Sequence, residues 1–196
     1  MILGLVSWLF GRSEPAGRVG KASGKDADAD VDADELAAQA RSDQLTPAVL
    51  SNDHDRSAYP LTAYLEADEQ PAYVFRGGDL LISDAEGSLA RKHPSRELQV
   101  VISDQRLLFV MGGRRSDELW EIPHEDVEEI YLDDESTKQY IIAESERDDA
   151  LMTFFADVTL NMNPEHVREA LAFVEASSDP DPVEEETESA DRRADE

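Results

Sequence analysis

The sequence predicts a mainly β protein: an antiparallel sandwich or barrel, closed by one C-terminal α-helix and flanked by acidic tails without fixed structure. Three observations predict it. Leu98 to Met111 is two apolar runs rich in β-branched residues, joined at Ser103-Asp104-Gln105-Arg106, the pattern of a hairpin near the middle of a sheet. Short strand-like runs recur at close spacing from Ala72 to Ala156, with Gly, Pro and Asp turn signals between them. One helical pattern follows the last of them and none separates them, which excludes a parallel α/β sheet.

The folded domain is expected to span 59–176. Pro60 to Leu65 leads in as a short helix or turn, and Asp68-Glu69-Gln70-Pro71 breaks the chain before the first strand. Strands are expected at 72–76, 80–83, 88–92, 98–103, 106–111, 119–122, 127–132, 139–144 and 151–156. The closing helix starts at Asn163, a good N-cap, with Pro164 at the first helical position, where a missing N–H costs nothing. Val167, Ala170, Leu171 and Val174 then share one face, with Phe173 at its edge. That stripe is expected to cover the open end of the sheet.

The chain carries 45 acidic and 18 basic side chains, a net charge of -27. The acidity is not confined to the tails, since 59–176 alone carries 26 acids against ten bases. Such a charge excludes nucleic acid and repels anionic surfaces in general. Lysine is scarce, with four against fourteen arginines, and there is no cysteine. The composition resembles that of salt-in halophiles, above all halophilic archaea, in which molar salt screens the self-repulsion. Lack of cysteine removes disulfides, thiolate zinc sites and a cysteine nucleophile.

Residues 1–12 form an apolar segment about half the length of roughly 20 residues that a spanning helix needs. Ile2, Leu3, Leu5, Val6, Trp8, Leu9 and Phe10 are the candidate membrane-contact residues, and Arg12, Arg18, Lys21 and Lys25 follow as a basic flank. An interfacial anchor combines these two features, and packing of the segment on the domain is the alternative. Residues 13–58 are expected to be a disordered acidic linker, with a transient helical turn or two in Leu36 to Leu50. Asp26, Asp28 and Asp30 have the opening spacing of a calcium loop, but Val31 stands where the loop needs Gly and Ala37 where it needs Glu. Residues 177–196 have the composition of a disordered acidic tail.

Three stretches carry a family resemblance. Acidic Glu66 to Glu69 precedes the first strand; Ser103, Asp104, Arg106 and Leu107 form an S-D-Q-R-L hairpin; Ile122, Pro123, His124, Asp126 and Val127 form an I-P-H-E-D-V strand entry. Together with the strand count and the closing helix, these resemble bacterial and archaeal PH-like domains of the YokE-like and related short types. The resemblance implies a pleckstrin-homology fold over roughly residues 65–176 and a binding module. Ser103, Asp104, Arg106 and Pro123 are structural motif residues in this reading: Asp104 caps the turn, Arg106 pairs with it or with Glu97 or Asp126, and Pro123 breaks the chain before the next strand.

No catalytic set assembles from the sequence. His54, His93, His124 and His166 fall in no metal-ligand spacing, and His166 is expected on the exposed side of the helix start. No cofactor and no metal are expected. The candidate ligand contacts are Arg91, Lys92 and Arg96 in a basic loop, with Arg114 and Arg115 in a second loop nearby, set to hold an anionic headgroup by their planar forks and charge. Surface ion pairing is the competing account. The expected function is a non-enzymatic adaptor for an unknown protein or lipid headgroup, in the cytoplasm or peripheral at the inner membrane face. The alternative is a structural module that self-assembles into homo-oligomers through its sheet edges.

Overall fold

The computed structural model describes residues 20–21, 32–134, 137–147, 150–161 and 163–178. Met1 to Phe10 lies outside the described residues, as does the acidic tail beyond Ser178. In chain order the elements are β1 (Gly20–Lys21), α1 (Ala33–Gln39), α2 (Pro47–Leu50), β2 (Pro71–Gly77), β3 (Leu80–Asp84), β4 (Leu89–Lys92), β5 (Leu98–Ser103), β6 (Arg106–Met111), β7 (Glu118–Pro123), β8 (Val127–Asp133), β9 (Tyr140–Arg147), β10 (Ala150–Asp157) and α3 (Pro164–Ser178). All nine strands expected between residues 72 and 156 are present.

Two antiparallel sheets result, one in the order β1-β7-β6-β5-β2 and the other in the order β4-β3-β10-β9-β8. Consecutive strands share both sheets. β2 pairs with β5 in the first sheet, while β3 and β4, their continuations, pair with each other in the second. Residues 71–103 are therefore one long bent hairpin that crosses a corner. At the corner Gly77 is opposite Leu98 and Leu80 opposite Lys92, so Gly78 and Asp79 face the five residues His93 to Glu97. Gly77 is needed there, because a Cβ would fall 1.3 Å from the carbonyl oxygen of Asp157.

Side chains that alternate inward from both sheets form the main core, with Phe75, Phe109, Trp120, Ile122, Ile141 and Phe154 among them. Phe109 and Phe154 stack across the sandwich with centroids 5.3 Å apart. Val167, Ala170, Leu171 and Val174 of α3 close the same core, as the helical stripe requires. Asn163 caps α3 through a hydrogen bond that its Oδ1 accepts from the N–H of Glu165 at 3.1 Å. Strand pairing and the closing helix agree with the PH-like plan that the sequence resembles.

Residues 32–58 depart from the expected linker. They fold as an arm across the outer face of the first sheet, where Leu45, Leu50, Leu61 and Tyr64 pack on Val74, Val101, Leu108 and Val110 as a second core. The folded unit thus begins at least at Asp32, which caps α1 by accepting from the N–H groups of Asp34 and Glu35. The reason is two-sided burial: β5 is buried at every position and β6 at all but Arg106, so both faces of the first sheet need a cover. The arm also reaches the β2 edge, where the N–H groups of Arg41 and Ser42 both donate to the carbonyl of Ala72.

Leu45→Ala and Leu50→Ala are each expected to lower unfolding stability by about 2–5 kcal/mol, the cost of a large-to-small change in a core. In a solvated linker the same changes would move it by no more than about 0.5 kcal/mol. Denaturant titration of the full chain separates the two.

Candidate functional site

The hairpin turn at Ser103 to Arg106 holds the entry to the first strand. Ser103 Oγ accepts from the N–H groups of Gln105 and Arg106, at 3.2 and 3.1 Å, and donates to Glu69 at 2.6 Å. Asp104 accepts from the N–H of Gln70 at 2.8 Å. Arg106 pairs with Glu69 at 2.7 Å and with Glu121 at 2.5 Å, not with Asp104, Glu97 or Asp126 as expected. The register explains the choice: Arg106 lies on the arm side of β6, beside β7, where Glu121 is one strand away. Glu69 is fully buried, and burial, which would lower the Arg106 pKa, is outweighed by Glu69, so the guanidinium is held above its ordinary value. The acidic stretch and the S-D-Q-R-L hairpin are one structural cluster.

A second buried carboxylate fastens the arm. Asp117 accepts from the N–H groups of Ala58 at 2.8 Å, Tyr59 at 3.3 Å and Gly113 at 2.7 Å, and from the Tyr64 hydroxyl. Burial, with the carboxylate beside it, pushes the Tyr64 pKa up. Asn52, in the left-handed region at φ 61°, closes the loop before it by accepting from the N–H of Arg56 at 2.8 Å.

Arg91, Lys92 and Arg96 line the strand corner and are not carried on a free loop. Arg91 and His93 both bind Asp79, with Nε of Arg91 at 3.2 Å and Nδ1 of His93 at 2.6 Å. Burial raises the Asp79 pKa, but these hydrogen bonds outweigh it and hold it below the usual value. Lys92 is 3.2 Å from Glu118 and lies over the Trp120 ring at 5.2 Å. Arg96 donates to the carbonyls of Asp55 and Ser57 at 2.7 Å and pairs with the Asp55 carboxylate. Each of the three therefore has an acidic partner.

Arg114 and Arg115 are exposed in the β6–β7 turn and pair with no described acid. The turn does lie beside the corner, because the N–H of Gly112 donates to Glu97 at 2.8 Å and that of Arg96 to Gly112 at 2.9 Å. A further pair, Arg56 and Arg76, sits there around the single carboxylate of Glu97, at 3.2 and 3.9 Å. Burial first, and repulsion from Arg76 second, lower the Arg56 pKa. No local sequence pattern joins residues 56, 76 and 97, so this group is invisible before folding.

Two histidines are interior. His166, expected to be exposed, has a side chain only 12% exposed, with Nε2 2.7 Å from Ser42 Oγ and its ring edge-on to Tyr73 and Phe75. It joins α3 to the arm, a contact that depends on the arm being folded. His124 is buried against Phe173, and neither ring nitrogen makes a hydrogen bond of normal geometry. Burial lowers its pKa; the nearby carbonyls of Arg106 and Ser103 oppose this without reversing it.

Two clefts among the described residues are lined by carboxylates. One of about 410 Å³ lies between α1 and Ala67–Gln70 and is lined by Asp32, Glu35 and Asp68; another of about 320 Å³ lies between β8 and the end of α3 and is lined by Glu128, Glu129 and Glu175. Both are acidic and contain neither a histidine nor a nucleophile paired with a base. Among the described residues no group of three or more His, Asp or Glu side chains is arranged to hold a metal ion. No described helix is long and apolar enough to cross a membrane.

No protein-family model matches the chain, and no curated protein matches it in sequence. Among solved structures it is similar to the Vps36 N-terminal PH domain, at 8% identity and a TM-score of 0.39, over 61% of this chain and 87% of that one. It is also similar to a structure of the Vav1 exchange factor that includes PH and C1 domains, at 13% identity and a TM-score of 0.33, over 56% of this chain and 26% of that one.

Arg106→Ala is expected to cost about 3–5 kcal/mol, since it leaves Glu69 buried without its counter-charge. Calorimetry of the variant, with Arg106→Ala/Glu69→Ala as the control that recovers part of the loss, measures it. For His124 the native pKa lies below the unfolded value of about 6.5, so the unfolded chain takes up the proton first as pH falls. The stability contributed by the neutral imidazole is complete above about pH 6.5 and is lost as pH falls through the window below it. Urea midpoints at about pH 7.5 and about pH 5.5 are expected to differ less in His124→Phe than in the parent.

Proposed function

We propose that the chain is a non-catalytic, PH-like binding module that works in the cytoplasm at the inner membrane face. Met1 to Phe10 is the apolar contact, and a basic edge beside it meets anionic headgroups. The observation that carries this reading is a backbone register: Gly20 lies opposite Leu119 and Lys21 opposite Glu118, on the free side of β7. Lys21, one base of the stretch that follows the apolar segment, lies on β1 opposite the start of β7, the strand after the turn that carries Arg114 and Arg115. Lys21, Arg114 and Arg115 thus belong to one edge of the first sheet. Such an edge with an apolar insertion supplies the two signals that stable interfacial binding needs. At molar salt the screening length is only about 3 Å, so the bases act at contact and the apolar residues supply most of the affinity.

The carboxylates buried among the described residues favour binding over chemistry, because Glu69, Asp117 and Asp157 are occupied in holding backbone and side-chain donors. Self-assembly through sheet edges finds less support. The β2 edge is occupied at Ala72 by the arm, β7 is paired by β1, and β8 carries Glu128, Glu129 and Asp133, the kind of charge that blunts an edge.

Co-sedimentation of the full chain with phosphatidylglycerol vesicles in molar KCl tests the proposal. Binding is expected to disappear when residues 1–12 are removed and to fall severalfold in Arg114→Glu/Arg115→Glu, while Arg91→Gln leaves it unchanged. Equal recovery of the full and shortened chains in the supernatant would contradict it.

A further inference from the structure

The two outer faces of the sandwich are not treated alike. The arm covers the first sheet, whereas no described segment covers the outer face of the second. That face carries one apolar row among polar positions such as Thr153, Ser83 and Arg91, and within the row Ile142 is 4% exposed. Tyr131 lies opposite Ile142, Ile142 opposite Phe155, and Phe155 opposite Leu81, a continuous row across four strands. Their neighbours Ile130, Ile141, Phe154 and Leu80 point into the core, which fixes the row to the outside. Leu89, at 60% exposed, and Leu151, at 39%, share this face by the same alternation, and Tyr131 is itself 39% exposed. Carboxylates border the row along its length, Glu129 and Glu144 on one side and Asp133 on the other, while at its β4 end Leu81 is opposite Arg91, which is paired with Asp79.

We infer that Met1 to Phe10 docks on this face of its own chain when no membrane is present. Three features of the molecule favour that occupant. The first is charge: residues 1–25 carry four bases and one acid, and the row is framed by acids. A second copy would set Glu129, Glu144 and Asp133 against the same acids of a chain of charge -27. The second is position. Lys92 of β4 pairs with Glu118 of β7, so the β4 edge of the second sheet lies beside the β7 edge on which Gly20 and Lys21 sit. The nine residues from Gly11 to Val19 can span about 30 Å when extended, against about 10 Å between stacked sheets and about 20 Å across five strands. The third is size: ten residues make a helix about 15 Å long, matching a row of four strands spaced about 4.8 Å apart. Tethering at this distance gives an effective concentration in the millimolar range, so a modest apolar contact suffices.

This inference does not depend on the membrane reading, and its test contains no lipid. The chain has two tryptophans, Trp8 in the segment and Trp120, which is 1% exposed. Acrylamide quenching of the full chain in molar KCl therefore reports Trp8, with Trp8→Phe measuring the Trp120 background. Trp8 is expected to be shielded in the parent and quenched severalfold more in Leu89→Glu/Tyr131→Glu, which alters only exposed positions, with an unchanged circular dichroism spectrum as the control for folding. Quenching of parent Trp8 at the rate of a free indole would overturn the inference, as would shielding that the double variant leaves intact. Shielding that disappears on dilution would overturn it in favour of docking between chains.

Discussion

An apolar sheet face cannot be left against water, and the architecture of this protein follows from how its first sheet meets that constraint. Val74, Val101, Leu108 and Val110 form the outer face of β2, β5 and β6. Leu45, Leu50, Leu61 and Tyr64 cover them, each large side chain contributing about 1.5–3 kcal/mol when fully buried. The apolar contact alone has no direction. Asp117 supplies one by gathering the backbone of Ala58 and Tyr59 to the β6–β7 turn, and the Arg106–Glu69 pair supplies another at the far end of the arm.

The same constraint organises the charge. In a chain with 45 acids and 18 bases, most carboxylates have no base to meet, yet the bases in the fold are placed as if scarce. Arg106 is shared between Glu69 and Glu121, Arg96 fastens the loop from Asp55 to Ser57, and Arg91 with His93 secures Asp79 at the corner. The Arg106–Glu69 pair is interior and is screened by salt far less than surface pairs, whereas Arg91, His93 and Asp55 are largely exposed. Among the described residues, Arg114 and Arg115 are exposed bases that this framework does not use, and the proposed headgroup contact falls to them.

The strands were legible because the turn signals between them are local, and so was α3, whose cap and stripe lie within fifteen residues. The arm was not. Leu45 and Leu50 are isolated apolar residues in a polar stretch, and what orders them is a sheet some thirty residues further along the chain. The indication lay in the strands instead: V-V-I in β5 and L-L-F-V-M in β6 do not alternate, and a strand apolar on both faces needs two covers. The basic residues were found by type but assigned to a loop, because the register shift that makes His93 to Glu97 a corner depends on pairing across the hairpin. Arg106 was recognised as a pairing residue, but its partners could not be named until the register placed Glu121 beside it.

The central claim is that residues 32–58 belong to the same cooperative unit as the sheets. Hydrogen exchange of the full chain measures it most directly. The amides of Arg41, Ser42, Ala58 and Tyr59 are expected to exchange only through the opening that also releases those of β5 and β6, with the same dependence on denaturant. Exchange of those four amides at unprotected rates, while β5 and β6 stay protected, would contradict it.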